Sequence, residues 1–255
     1  MRALHTLPCL LLAMLLAAPA QARLTAVEGD ARHPDRGHLL YREEHLIRHE
    51  GDRPVERLVV YRCPDGNAFA RKRVDYRPSL IAPDFELVDA RGYREGLRRE
   101  GGRPVLWSSE SRARTLGAAR APLVADAGFD EYLRQRWSAL ASGQPQPVAF
   151  AVPSFGRALP LRIRSAGRHQ RAGTPVYRFE LSLDGLLGAF ADAIAVEYDA
   201  GDRRLRHFRG LTNVRDAKGD QIEAAIDFPR APRVVDAARW QSLAALPLAR
   251  CTLGG

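Results

Sequence analysis

Two histidines and three glutamates crowd one short stretch of the chain: Glu43, Glu44, His45, His49 and Glu50. Histidines four apart suit a metal pair when they ride on a helix. On a strand they share a face but stand about 13 Å apart, too far for one ion. The order also departs from the HExxH zinc-protease pattern, because no Glu follows the first His. The stretch therefore reads as the wet face of a strand, with Glu43, His45 and a distant acid as the only seed of an acid–base site. Ser154 lies in VPSFG, which is not the G-x-S-x-G elbow, and no neighbouring His or Asp is arranged to activate it. Asp84, Glu86 and Asp89 could pair for glycoside chemistry, yet their alternation with Phe85 and Leu87 places them on the solvated side of a strand. There is no P-loop, no dinucleotide fingerprint and no Cys/His zinc spacing. No catalytic residue, metal site or cofactor is expected.

The elements that would position such groups begin at a segment that is not part of the mature fold. Arg2 and the apolar run Leu7–Ala18 lead to Ala20-Gln21-Ala22, the pattern of a signal peptide over residues 1–22. Removing it from the 255 residues leaves about 230, ample for one core. No later run is apolar and long enough for a membrane helix, so a periplasmic or secreted protein is expected, with no transmembrane segment after signal cleavage. The formal charge is +9, and only Lys72 and Lys218 among the 39 basic residues are lysines. The arginines are spread along the chain and alternate with apolar residues. Such a distribution argues against a nucleic-acid surface, which clusters its basic groups. Cys63 and Cys251 remain in the mature chain, and in an oxidising compartment two cysteines most simply form a disulfide.

Residues 23–37, rich in Gly, Pro and charge, read as a flexible mature N-terminus. Residues 38–255 read as a single β-rich domain. Strands are expected over 38–50, 55–62, 67–76, 84–89, 93–100 and 103–109, a loop or ragged strand over 111–121, and further strands over 148–152, 159–163, 177–183, 194–198, 204–211 and 222–228. A short helical turn is expected over 186–193, a bulge at Gly210-Leu211, and a last helix capped by Asp236 that carries Trp240, Leu243 and Leu246. The clearest helix spans 128–142. Phe129, Tyr132, Leu133, Trp137 and Leu140 recur at helical steps, whereas Asp130, Arg134 and Arg136 fall off that stripe. Asp126 or Gly128 can open this helix and Gly143 can close it. A lone amphipathic helix among strands needs a sheet to cover it. The expected fold is mainly β (α+β): one curved antiparallel sheet, a half-barrel, wrapping a central amphipathic helix. A two-sheet sandwich is the alternative.

DAGFDEYLRQRWSALASGQPQPVAFAVPS at 126–154 and HFRGLTNVRDAKGDQIEAAIDFP at 207–229 resemble a poorly characterised family of exported, periplasmic proteins of Gram-negative bacteria. The element order is similar to that of lipoprotein-carrier-like half-barrels, in which a curved sheet encloses a helix and can hold an acyl chain. The resemblance implies an exported, non-enzymatic envelope protein that binds a hydrophobic or lipid-like ligand between sheet and helix or serves an envelope protein partner. It supplies no catalytic residues. Tyr132, Trp137, Phe150, Tyr177 and Phe179 are the candidate ligand-binding residues, since aromatics with polar tips would line both sides of such a cavity. The same five side chains could equally fill a core against one another. The competing classes are a periplasmic hydrolase whose site forms only in three dimensions, and a protein-interaction module that uses the arginine-rich faces.

Overall fold

A computed structural model describes residues 22–184 and 193–253. The signal segment 1–22 and the turn expected over 186–193 thus lie almost wholly outside the described residues. Sixteen strands belong to one sheet, and neighbours along the chain are mostly neighbours in space. The first half is a meander: β1 (Ala22–Arg32), β2 (Leu39–Glu50), β3 (Arg53–Arg62), β4 (Ala68–Asp75), β5 (Asp84–Asp89), β6 (Arg94–Glu100), β7 (Arg103–Ser108) and β8 (Ser111–Thr115). After the short β9 (Leu123–Ala125) and the helical segment, a second meander follows: β10 (Gln146–Val152), β11 (Arg157–Arg171), β12 (Thr174–Leu183), β13 (Ile194–Asp199), β14 (Leu205–Arg215) and β15 (Gln221–Asp227). The two meanders join where β1 pairs antiparallel with β15, so the order runs from β8 down to β1, then β15 down to β9. β16 (Arg233–Val234) pairs with β1 off this path, and only β9 and β10 pair in parallel. The result is one large, open, curved and mainly antiparallel sheet, as the turn spacing and alternation predict. The two edges approach through side chains: Leu97 and Leu106 from β6 and β7 pack in one cluster with Ala125 of β9 and Ala151 of β10.

The expectation of a flexible terminus over 23–37 is corrected. β1 pairs with β2 along its whole length and forms the seam between the two meanders. Its inward row, Thr25, Val27, Gly29 and Ala31, consists of small residues, so the period-2 signal is weak against the flanking charges. Leu24 and Ala26 point to the opposite face, where they meet Leu243 of the last helix. The ragged segment after 110 contains a strand, β8, whose five residues are all exposed.

The predicted single helix is two segments, α1 (Gly128–Gln135) and α2 (Trp137–Ala141), that meet at Arg136 with φ −99° and ψ 10°. Gly143, at φ 84°, closes it as expected: its N–H and that of Gln144 return to the carbonyls of Leu140 and Ala139. Tyr132, Leu133, Trp137 and Leu140 are buried against Val148, Leu161, Ile163, Phe179, Leu181 and Val196 from β10 to β13. These four helix side chains at about 1.5–3 kcal/mol each would hold the helix down by at most roughly 12 kcal/mol. The last helix, α3 (Ala238–Ala244), packs Leu243 on the opposite face of the sheet, over β1 to β4. The N-cap is Ala237 and not the expected Asp236, which stands one residue earlier and accepts the Ala238 N–H at 2.7 Å. Cys63 and Cys251 form the expected disulfide, which ties the C-terminal strap to the end of β3.

A candidate ligand-binding interior

Strand register places the interior side chains. His45, Val59, Lys72, Leu87, Glu95 and Ser108 stand opposite one another from β2 to β7, so they form one row across the inward face. The adjoining row runs Ile47, Arg57, Val74, Phe85, Leu97 and Leu106. Both rows are in phase with buried residues, yet His45, Lys72, Glu95 and Arg57 are ionisable. Burying them has a cost unless each is paired, and each is. His45 Nε2 meets Glu43 Oε2 at 2.7 Å, with the two side chains 13% and 10% exposed. Lys72 Nζ donates to Asp126 Oδ1 at 2.6 Å. Arg57 donates through Nη1 and Nη2 to Asp130 Oδ2, both at 3.3 Å. Tyr93 donates its hydroxyl to Glu95 at 2.7 Å and accepts from Arg215 Nη2 at 2.8 Å.

The segment 126–130 carries two of these acids. Asp126 does not cap the helix with its side chain. Its carboxylate faces Lys72 and accepts from Asn213 Nδ2 at 3.4 Å. Its backbone sits at φ 43°, in the left-handed region that Asp tolerates better than most residues. Asp130, which the helical stripe placed on the outside, is buried. Besides Arg57 it accepts the Tyr198 hydroxyl at 2.6 Å. The first turn of α1 thus joins β3 to β13 through one carboxylate.

The electrostatics follow from burial and pairing. Burial alone would raise the Asp130 carboxyl, but Arg134, Arg57 and the Tyr198 hydroxyl outweigh it and hold it below the usual aspartate range. Tyr198 is pushed well above its ordinary value, by burial first and then by Asp130. Burial raises Glu95 as well, and the Tyr93 hydrogen bond and Arg215 only partly offset it. Tyr41 and Tyr61 are raised by burial and then by Glu43, so both stay neutral phenols.

Pairing is incomplete. Tyr76 Oη, Asp126 Oδ2, Arg57 Nε and Arg215 Nε are buried and have no hydrogen-bond partner among the described residues. Buried polar atoms in folded proteins are nearly all satisfied, by protein, water or ligand. These four belong to the polar side chains of the inward face; His49, Trp107, Ser154 and Arg204 carry further unpartnered atoms elsewhere among the described residues.

The five aromatics expected to bind ligand come together in one cluster. Trp137 lies 5.5 Å from both Tyr177 and Phe179, edge to face, and Tyr177 stacks on Phe179 at 6.3 Å. Phe150 sits against Phe129 of α1 at 6.4 Å, and Tyr132 is buried in the same cluster. This arrangement gives the inward face two chemistries, aromatic under the helix and polar opposite it. The polar half is what the sequence reading missed. The available signal was phase: Arg57 and Lys72 occupy the same alternation as Val59, Tyr61, Ala70 and Val74.

The other chemistry-bearing residues do not converge. His49 turns to Thr25 Oγ1 at 3.2 Å, away from His45. Ser154 stands on a short 3-10 turn with its hydroxyl buried and no partner among the described residues. Asp84 and Glu86 point outward to Arg99 and Arg94, whereas Asp89, an odd three residues further on, points inward and binds Arg91. Among the described residues no group of three or more His, Cys, Asp and Glu is placed to hold a metal ion. No helix among them is long and apolar enough to cross a membrane, and the disulfide fits an oxidising compartment.

No protein-family model matches the chain, and no curated protein matches it. Among solved structures it is similar to a β-barrel-like protein of the domain of unknown function DUF1849 from Brucella abortus. That similarity is at 10% identity, over 86% of this chain and 100% of the other, with a TM-score of 0.48.

Proposed function

We propose that the chain is an exported, non-enzymatic envelope protein of the periplasm that binds a hydrophobic or lipid-like ligand between the sheet and the α1–α2 helix. In this reading the sheet wraps the helix as in lipoprotein-carrier-like half-barrels, and the ligand is amphiphilic. Its apolar part lies along Trp137, Tyr177, Phe179, Tyr132 and Phe150. Its polar part meets the orphaned groups of Asp126, Arg57, Tyr76 and Arg215. The observation that supports the reading is the division of one inward face into an aromatic half and a polar half with unpartnered buried atoms. An acid–base role for His45 has less support, since its ring meets Glu43 and Phe228, and neither is a hydroxyl or thiol that it could activate.

The test is native mass spectrometry on mature protein released from the periplasm without refolding. Extra mass of a few hundred daltons, lost on denaturation, is the expected result, and Trp137→Ala should lower uptake of a fluorescent fatty acid more than it lowers Tm. A bare mass, together with a Trp137→Ala variant that loses stability while the wild type takes up no lipid, would reduce the aromatic cluster to plain core.

A further inference from the structure

The outward face carries a second feature, separate from the interior. A groove of about 840 Å³ runs between α3 and β7 across the outer surface of β4, β5 and β6, within the size range of small-ligand sites. One wall is Trp240 of α3, and the other is Trp107 of β7. Arg48 lies over the Trp240 ring at 4.2 Å, and Arg94 and Arg98 lie 5.8 and 5.7 Å from the Trp107 ring. Register explains the shape. Leu58, Arg73, Glu86, Gly96 and Trp107 form one outward row from β3 to β7. Gly96 leaves a step in that row, and the Trp107 ring leans into it: a Cβ there would stand 3.0 Å from Trp107 Cζ2. The opposite wall is fastened. Arg71 donates to the carbonyls of Ala244 and Leu246 at 2.7 and 3.1 Å, and the disulfide holds the strap beyond.

The charges on the floor are mostly paired. Arg48 binds Glu56 at 2.6 Å, Arg94 binds Glu86 through Nε at 3.0 Å, and Asp84 is bound by Arg99. Arg73, exposed at the centre of the floor, has no hydrogen bond or ion pair among the described residues, and its charge bears on Arg71 two residues away. The groove therefore offers the Trp107 ring, a Trp240 wall capped by Arg48, several fixed arginine–carboxylate pairs and one uncommitted guanidinium.

From this geometry we infer that the groove is a binding site for a carboxylate-bearing oligosaccharide. The Trp107 ring, from which Arg94 and Arg98 stand 5.8 and 5.7 Å away, stacks on the C–H face of a pyranose ring. The fixed pairs present spare N–H groups and oxygen lone pairs to hydroxyls. The Arg73 guanidinium takes a sugar carboxylate in the bidentate geometry that Arg favours. A bare acyl chain would strip water from these charges without replacing it. A polyacidic peptide would meet Glu56, Asp75, Asp84 and Glu86, four carboxylates in one groove. A uronate oligosaccharide meets the same four carboxylates, but its hydroxyls hydrogen-bond the fixed pairs and its ring faces cover the Trp107 indole, which a polyacidic peptide cannot do.

Titration calorimetry of the disulfide-intact chain with tetragalacturonate, neutral maltotetraose and hexaglutamate tests this, with tryptophan emission followed in parallel. Of the three tryptophans, Trp137 is in the interior, so a change in emission reports Trp107 and Trp240. Tetragalacturonate should bind and shift the emission, maltotetraose should bind roughly tenfold or more weakly, and hexaglutamate weaker still. Arg73→Gln, an exposed change that leaves the fold intact, should weaken tetragalacturonate at least tenfold and leave maltotetraose unchanged. The inference is overturned by no tetragalacturonate binding at millimolar concentration, by binding without an emission change, by equal or tighter binding of hexaglutamate, or by an Arg73→Gln variant that binds as the wild type does.

Discussion

Asp130→Ala is the sharpest perturbation of the interior. The carboxylate is 14% exposed and its partner Arg57 is 10% exposed, so solvent screens the pair little. Removing it leaves the Arg57 guanidinium buried without its counter-charge and deprives the Tyr198 hydroxyl of its acceptor. Breaking a buried ion pair from one side costs about 3–5 kcal/mol. For a chain of this size each kcal/mol moves Tm by about 2–4 °C, so the variant should melt roughly 6–20 °C lower. The double variant Arg57→Met, Asp130→Leu removes both charges and should recover most of the loss, because the penalty belongs to the stranded charge. The pH dependence has a fixed sign. A carboxyl held below its ordinary value contributes stability that is present above the unfolded value, about 3.9, and lost as pH falls through the folded value. The gap between wild type and Asp130→Ala should therefore narrow below about pH 4. Urea unfolding followed by circular dichroism, with the disulfide intact, reads all three. A single-variant loss under about 1 kcal/mol, a double variant no better than the single, or a gap that persists unchanged at pH 2 would refute the view that Asp130 ties α1 to both halves of the sheet.

Two further outcomes concern other parts of the molecule. Glu95 is raised by burial, so its ionisation opposes folding, and that loss sets in as pH rises above the ordinary glutamate value of about 4.3. Glu95→Gln should be more stable than wild type at pH 7 and converge with it near pH 4; urea midpoints at both pH values showing the reverse order would contradict this. Reducing Cys63–Cys251, a bridge across 188 residues, should destabilise the chain by up to about 5 kcal/mol on the loop-entropy scale. The same urea midpoint, unmoved by reductant, would show that the strap is held by packing alone.

The meanders, the disulfide and the helical stripe were legible because each has a strong local signature: period-2 alternation, two cysteines in an oxidising context, and five apolar residues at helical steps. β1 was not, because Thr25, Val27, Gly29 and Ala31 bury little area each and sit among charges. A strand at the seam of the sheet needs small residues where the two meanders meet, and smallness erases the pattern that would announce it. Asp130 was misplaced for a different reason. Helical periodicity assumes one apolar face, but α1 meets apolar strands on one side and Arg57 of β3 on the other. A helix between two surfaces has two inner faces, and the second can be polar. Glu43 and His45 were read as a solvated face because of their charge; register shows that they face inward with Tyr41.

The buried charges bear on function through what they do not explain. Apolar residues of similar volume would serve stability as well as, or better than, Arg57–Asp130 or Lys72–Asp126. An interior built only to fold would close such a region with leucine and valine, as the other half of the inward face largely does with Val148, Leu161, Ile163 and Leu181. The chain instead places acids and bases in phase with its core, holds Asp126 in a left-handed backbone conformation, and leaves polar atoms of Asp126, Arg57, Tyr76 and Arg215 without partners among the described residues. Strain and unsatisfied groups persist where the surrounding structure over-determines them, and they gather at binding sites. The aromatic cluster alone would be indistinguishable from core. Its position beside a polar region with open hydrogen-bonding capacity is what makes an amphiphilic ligand the reading that accounts for both halves at once.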